Sequence, residues 1–316
     1  MTETRDKASE LNRAWTESQL VTQLGVSPRR IEKDIDAWLE EDAGGGDVSQ
    51  WTQPVFTPRM RMEIIAKQDF VVCGLTLMAA VFHRTHGEIP LRLTSSFCDG
   101  DIVRKGDVIL SGEGNARCLL LGERVALNMA SRLSGIATKA SKMRALVESA
   151  AAQAECTPPD LLETRKITPG LRLYEKFATR IAGVRNHRHS LDTGLMLKEN
   201  HLRSFGGVNA ALKAARANAP ALTKIEIEVT QLDEFREALA GGADVIMLDN
   251  FSLDDVRVAV GERARCGRRV ALEVSGNLTE ENIAAVAKLG VDSLSSGALV
   301  HQATWVDMSL QLYPFS

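Results

Sequence analysis

Two glutamates, Glu226 and Glu228, stand two positions apart in the run Ile225 to Val229. In an extended strand they share one face, while Ile225, Ile227 and Val229 share the other. Other short apolar runs also end in charge: Leu162 leads to Glu163, Arg165 and Lys166, Leu197 to Lys198, and Leu248 to Asp249. From Thr164 to Arg203 there are nine Lys and Arg against three Asp and Glu, so this window is +6 and the rest of the chain is −9. His187, His189 and His201 fall in the same window. Cations beside strand ends suit a pocket for a small, multiply charged anion. Two blander readings compete with it. One is a solvated basic face; the other is a buried structural ion-pair network, such as Glu228 with Lys166.

Small residues mark a second kind of feature. Val274 runs into Ser275-Gly276-Asn277, and Leu294 into Ser295-Ser296-Gly297. Small residues after a strand, with a helix starting just beyond, expose backbone N–H groups that can cradle a phosphate.

The elements that must position these residues are legible as a change of texture near residue 160. From there, strand candidates recur at 161–162, 195–197, 225–229, 245–248, 270–274 and 291–294. Helical stretches at 208–217, 231–240, 253–265 and 280–289 separate the later ones. Strands alternating with helices of about ten residues predict βα units and a parallel sheet. No G-x-G-x-x-G turn occurs, which favours a (β/α) barrel over an open nucleotide-binding sheet. In a barrel the outer face of each strand meets helices, which puts Glu226 and Glu228 inside or at the mouth, and charges at the carboxyl ends of strands read as a ligand site. Before residue 120 the pattern predicts two short helices within 11–42, opened in part by Ser27 and Pro28, then a small sheet-containing domain over 55–120. A long helix follows over Glu123–Met143.

Composition excludes several classes. The chain has 316 residues and a formal net charge of −3, with pI about 6.1, so nucleic acid is not bound through global charge. Apolar residues make up 44 % and charged residues 25 %, as in ordinary globular proteins. The apolar stretch Phe70–Phe82 is too short to span a bilayer and no secretory signal is visible in Met1–Glu10, so no membrane association is expected. Five scattered cysteines without C-x-x-C spacing predict a reducing, cytoplasmic setting rather than disulfides or zinc.

Taken together, the motifs T-R-K (164–166), T-P-G-L-R (168–172), N-H-R (186–188) and K-E-N-H (198–201) within Leu161–Leu202 closely resemble the central block of the quinolinate phosphoribosyltransferase family. The likeness continues through GERVALNMASRLSGIAT (122–138), IEIEV (225–229), VIMLDN (245–250), LEVSGN (272–277) and SSGALVH (295–301). The resemblance implies an α/β fold: an N-terminal α/β sandwich domain over 1–128, an incomplete seven-stranded parallel (β/α) barrel over 129–299, and residues 300–316 packing back on the first domain. It implies a homodimer and a magnesium requirement. The implied reaction joins quinolinate to phosphoribosyl pyrophosphate, releasing carbon dioxide and pyrophosphate and giving nicotinate mononucleotide for NAD biosynthesis. Carried over residue by residue, Arg124 (from the neighbouring subunit), Thr164, Arg165, His187, Arg188 and Lys198 would bind quinolinate. Lys166, Glu228 and Asp249 would be the catalytic residues at the phosphoribosyl pyrophosphate, with magnesium near Glu228 and Asp249. Ser275, Gly276, Asn277, Ser296, Gly297 and Ala298 would form the cup for its 5-phosphate. Asn277 departs from the second glycine of the family's S-G-G, Ala182 to Arg185 replace a glycine run before N-H-R, and His301-Gln302 departs in part from the usual ending. Two alternatives stay open: a paralogous phosphoribosyltransferase using another base, and a catalytically silent ligand-binding homologue.

Overall fold

The computed structural model describes residues 9–49, 59–87 and 90–314, so most of the leader region weighed above, and residues 55–58 of the first domain, lie outside it. The chain forms two compact units: residues 1–138, 173–182 and 303–316 in one, and 139–172 and 183–302 in the other. Neither unit is continuous in sequence. The unit boundary falls inside one long helix, at Thr138, ten residues beyond the single cut drawn from sequence.

Along the first unit run β1 (Ser9–Glu10), α1 (Arg13–Leu24), α2 (Pro28–Ala43), β2 (Arg59–Ala66), β3 (Phe70–Val71), α3 (Leu75–Thr85), β4 (Arg92–Ser95), β5 (Ile102–Val103) and β6 (Val108–Asn115). Asn12 caps α1 by accepting from the Trp15 N–H at 3.0 Å, and Pro28 opens α2, its fixed φ suiting the first helical turn. Strand β2 alternates, with Met62, Ile64 and Ala66 buried, so one face of its sheet is apolar. That sheet is antiparallel, in the order β1-β4-β6-β2-β13, where β13 (Met308–Pro314) returns from the C-terminus to pair with β2 over seven residues. Helix α4 (Ala116–Gln153) has 38 residues, well beyond the 123–143 expected, because Ala- and Leu-rich turns without proline extend it at both ends. Where the C-terminal chain crosses it, a Cβ on Gly135 would run into the Thr304 carbonyl, so only glycine allows the approach. Helix α5 (Arg172–Ile181) was not read from sequence; it begins right after the Thr168-Pro169-Gly170 turn, which masks its start.

The second unit carries the βα units: β7 (Asp160–Leu162), β8 (Leu195–Leu197), α6 (Glu199–Phe205), α7 (Val208–Asn218), β9 (Ile225–Val229), α8 (Leu232–Gly241), β10 (Val245–Asp249), α9 (Leu253–Arg265), β11 (Ala271–Ser275), α10 (Ile283–Ala287), β12 (Ser293–Ser295) and α11 (Ala298–His301). All six strands are parallel, in the order β7-β12-β11-β10-β9-β8. The first strand therefore lies beside the last, as a barrel requires. The seventh strand of the expectation is reduced to one parallel bridge, Leu162 with Arg185; β7 and β8 do not pair, so the ring is incomplete. Ile225, Ile227, Val229, Ile246, Leu248 and Leu272 are fully buried. The alternate set, Glu226, Glu228, Met247, Asp249, Glu273 and Ser275, therefore faces the interior of the sheet. Register aligns it: Glu228 and Glu273 both lie opposite Met247, and Asp249 opposite Ser275.

One buried ion pair anchors the first unit. Arg132 on α4 donates from Nε and Nη2 to Glu175 Oε1 of α5 at 3.0 and 2.9 Å, and from Nη1 to the Ala303 carbonyl at 3.2 Å. Glu175 is fully buried. Glu175→Ala should lower stability by about 3–5 kcal/mol, because it strands the guanidinium away from water; a urea midpoint within error of wild type would show that the pair contributes nothing.

Candidate active site

The carboxyl ends of β7 to β12 open into a cavity of about 600 Å³. Thr164, Arg165 and Lys166 reach it from the end of β7, His187 and Arg188 from the segment after the Arg185 bridge, and Lys198 from the end of β8. Glu228 and Asp249 enter from β9 and β10. Ser275, Gly276 and Asn277 follow β11, and Ser296, Gly297 and Ala298 follow β12. Thus every site residue carried over from the resemblance lines one cavity except Arg124, which is exposed on α4 in the first unit; Glu163, His189, His201 and Glu226, also noted in the sequence, are not among its lining residues.

Ion pairing inside the cavity differs from the alternative weighed above. Glu228 Oε2 accepts from Lys198 Nζ at 2.5 Å, not from Lys166; the reason is topological, since β8 and β9 are hydrogen-bonded neighbours. Lys166 instead runs over Gly297, where an added Cβ would lie 2.8 Å from its Cδ. Arg188 donates from Nη1 to the Gly194 carbonyl at 2.9 Å. Burial and the neighbouring Arg165 cation pull its pKa below the usual arginine range. Asp249 moves the other way: burial and the nearby Glu228 charge raise its carboxyl above the usual range, against the Asn250 amide and the Lys198 and Lys166 cations. Two carboxylates and several cations are thereby held in one recess, some of them imperfectly compensated.

Beneath the cavity lies a cluster that sequence reading missed. His187 Nε2 stands 3.4 Å from Glu226 Oε2 and 3.5 Å from Glu273 Oε1. Burial alone would lower the His187 pKa, but hydrogen bonding and charge from the two glutamates outweigh it and raise it to about 10. A second contact opposes full protonation: the Arg188 backbone N–H donates to Nδ1 at 2.7 Å, occupying the lone pair that a second proton would need. The geometry therefore keeps the ring proton on Nε2, between the carboxylates, with Nδ1 engaged by the backbone. Burial and repulsion from Glu273 push the Glu226 carboxyl up, His187 and Arg188 opposing. Glu163, fully buried, accepts from the His187 backbone N–H at 3.1 Å and from Asn186 Nδ2 at 2.7 Å, which fixes the segment carrying His187 and Arg188. The period-two pattern that exposed Glu226 and Glu228 also places Glu273 on the Ser275 face of β11, so that signal was present in the sequence; Glu163 gave none beyond its position.

The two small-residue loops are tied together. Ser296 donates from its hydroxyl to the Leu278 carbonyl at 2.6 Å and from its N–H to the Leu162 carbonyl at 3.0 Å. Its hydroxyl also accepts from the Ala298 N–H at 3.2 Å. Thr279 and His301 complete the rim and were not anticipated as site residues.

Comparison with known proteins agrees with this architecture. Residues 136–311 match the family model of the quinolinate phosphoribosyl transferase C-terminal domain and residues 50–134 that of its N-terminal domain. The chain is 37 % identical over 283 residues to a probable nicotinate-nucleotide pyrophosphorylase [carboxylating] of Synechocystis, covering 89 % of this chain and 92 % of that one. The human nicotinate-nucleotide pyrophosphorylase [carboxylating] is 34 % identical over 290 residues, with 92 % and 94 % covered. The solved structure of the nicotinate-nucleotide pyrophosphorylase from Francisella tularensis superposes with a TM-score of 0.82 at 34 % identity, over 92 % of this chain and 99 % of that one. Fold, cavity and likeness over most of its length agree, and the chain belongs to the quinolinate phosphoribosyl transferase family.

Proposed function

We infer that the protein is a carboxylating pyrophosphorylase of the pyridine-nucleotide pathway. It transfers the phosphoribosyl group of phosphoribosyl pyrophosphate to quinolinate, with loss of carbon dioxide and pyrophosphate, giving nicotinate mononucleotide for NAD biosynthesis. The observation that carries this reading is the single cavity in which Arg165, Arg188 and Lys198 face Glu228 and Asp249 between two small-residue loops. Quinolinate is a dianion and needs forked donors and point charges together, which the arginines and lysine supply. Phosphoribosyl pyrophosphate needs a phosphate cup at one end, which the Ser275–Asn277 and Ser296–Ala298 loops supply, and a cation at the other, the role of Lys166. When the C1–O bond to pyrophosphate breaks, positive charge builds on the ribose, where Glu228 and Asp249 stabilise it. The pyridine nitrogen donates its electron pair to C1. The resulting pyridinium then accepts the electron pair released as the adjacent carboxylate leaves as carbon dioxide, and C2 takes up a proton.

Glu228 and Asp249 also fit a magnesium ion. They are hard oxygen donors in one recess, and Asp249 already feels the Glu228 charge that a divalent cation would relieve. Magnesium bound there would neutralise charge on the departing pyrophosphate. Thr164 accepts the Lys166 backbone N–H on its hydroxyl at 3.0 Å, which shapes the turn carrying Arg165 and Lys166. His187 is better placed to support the Arg188 segment than to touch quinolinate through a ring nitrogen. The exposure of Arg124, outside the cavity of its own chain, supports a homodimer in which each site takes this arginine from its partner. No described helix is long and apolar enough to cross a membrane, and the cysteines are free, which supports a cytoplasmic setting.

Incubation with quinolinate, phosphoribosyl pyrophosphate and magnesium should yield nicotinate mononucleotide. Nicotinate should be used with kcat/KM lower by on the order of 10⁴, since a monocarboxylate leaves buried cations unpaired. Comparable turnover of the two acids would promote a monocarboxylate-using paralogue, and no turnover of either would favour a silent homologue.

Glu228→Gln removes one negative charge with little change of shape. It should lower kcat by on the order of 10²-fold, while quinolinate affinity, read by calorimetry, is kept because Lys198 is released from its ion pair. Arg188→Lys keeps the charge but loses the planar fork, so it should weaken quinolinate binding first. The opposite pattern would overturn this division of the cavity.

Neither Arg124→Ala nor Lys166→Ala homodimers should be active, but mixing the two chains should restore part of the activity through one intact composite site. Heterodimers that form and stay inactive would rule out a shared site.

A further inference from the structure

The loops after β10 and β11 contain three residues with left-handed backbone: Asn250 (φ 57°), Gly276 (φ 99°) and Asn277 (φ 50°). Outside glycine, asparagine is among the few residues that tolerate this region. At 277 it stands where the family resemblance leads one to expect glycine, so the backbone shape is kept while a side chain is gained. That side chain is engaged. Asn277 Nδ2 donates to Asn250 Oδ1 at 3.0 Å, and Asn250 Nδ2 donates in turn to Asp249 Oδ2 at 2.9 Å. The Asn250 N–H donates to the Ser275 carbonyl at 3.0 Å, and a Cβ on Gly276 would run into the Asn250 amide. The amide therefore lies directly on the glycine α-carbon, a site that no other residue at 276 would leave open. On the far side, Asn282 Nδ2 donates to the Asn277 carbonyl at 2.9 Å while its Oδ1 accepts from the Thr279 N–H at 2.9 Å.

We propose that Asn277 is a positioning residue: through Asn250 it latches the Ser275–Asn277 turn to Asp249, so that the phosphate loop and the carboxylate beside the ribose hold one relative geometry. The inference rests on the preceding reading of this cavity as the phosphoribosyl site. The side-chain amide of Asn277 is turned to Asn250, so it serves the phosphate through the loop it fixes. The latch lowers the freedom the loop would otherwise lose on binding, which is the form in which a pre-organised turn improves affinity.

The test is a double-mutant cycle on ribose 5-phosphate binding, measured by calorimetry with wild type, Asn277→Gly, Asn250→Gly and the double variant, glycine keeping the left-handed backbone at both positions. Asn277→Gly keeps the left-handed backbone without strain, so the fold is not at risk, and it deletes only the amide. Affinity should fall about threefold to fivefold, the range of one modest hydrogen bond. In the Asn250→Gly background the same change should have less than a twofold effect, because its acceptor is already gone. In turnover, KM for phosphoribosyl pyrophosphate should rise by the same factor while KM for quinolinate stays fixed. Asn277→Asp, which loses the donor and adds a negative charge to the phosphate loop, should weaken ribose 5-phosphate binding more than the glycine variant does. Wild-type affinity in Asn277→Gly, an equal loss in both backgrounds, or no binding of ribose 5-phosphate by wild type would each overturn the latch. Ribose 5-phosphate binding with the expected cycle, but without turnover of quinolinate, would leave the latch standing and remove the proposed reaction instead.

Discussion

Four carboxylates, Glu226, Glu228, Asp249 and Glu273, point into the interior of one parallel sheet, and most of the second unit is arranged around their compensation. The strands place them there by simple alternation, since Ile225, Ile227, Val229, Ile246, Leu248 and Leu272 take the helix-facing side and are fully buried. A barrel filled in the usual way would carry branched apolar residues at the inward positions. Here the interior divides instead into two levels. At the deeper level, His187 stands between Glu226 and Glu273. At the mouth, Lys198 meets Glu228, and Asp249 is left with an amide and more distant cations. Removing Lys198 would take from Glu228 its ion-pair partner at the mouth.

This arrangement explains why the site is built from so many strand ends. No single loop could bring these cations and carboxylates together; the parallel register does so because the strands from β7 to β11 each carry charged residues to one end of the sheet. The incompleteness of the ring contributes as well. His187 and Arg188 come from the segment that makes a single bridge to β7, so they reach the interior from a piece of chain free of the alternation that binds the other strands. Glu163 secures that segment by its two hydrogen bonds.

Much of the site was legible from residue types and spacing. The alternation in IEIEV, the charges after Leu162, Leu197 and Leu248, and the paired small-residue turns each marked a strand end that lines the cavity. The pairing partners were not legible. Glu228 meets Lys198 rather than Lys166 because β8 and β9 are neighbours, a fact of sheet order that no local pattern records. Glu273 carried the right periodicity but sat inside a motif whose interest lay in its glycine. His187, assigned to quinolinate by the resemblance, lines the cavity and also has ring contacts that no local pattern records, with Glu226, Glu273 and the Arg188 N–H. The seventh strand was implied by the resemblance alone; the pattern of apolar runs marked six, and the seventh position is held by the Leu162–Arg185 bridge. Helices α5 and α10 differed from expectation where glycine and proline turns, or weak caps, blur the ends.

The pairing of β13 with β2 also bears on how the chain is made. The Asp307 N–H bonds Gln68 Oε1 at 3.3 Å across 239 residues of sequence, and Met308 to Pro314 then follow β2 residue by residue. The antiparallel sheet of the first unit thus lacks its edge strand until Met308–Pro314 leave the ribosome, while the parallel strands from β7 to β12 lie wholly within Asp160–Ser295 and are available earlier. Contacts this distant in sequence form slowly, so during synthesis the open side of β2 is the stretch most exposed to mispairing with another chain.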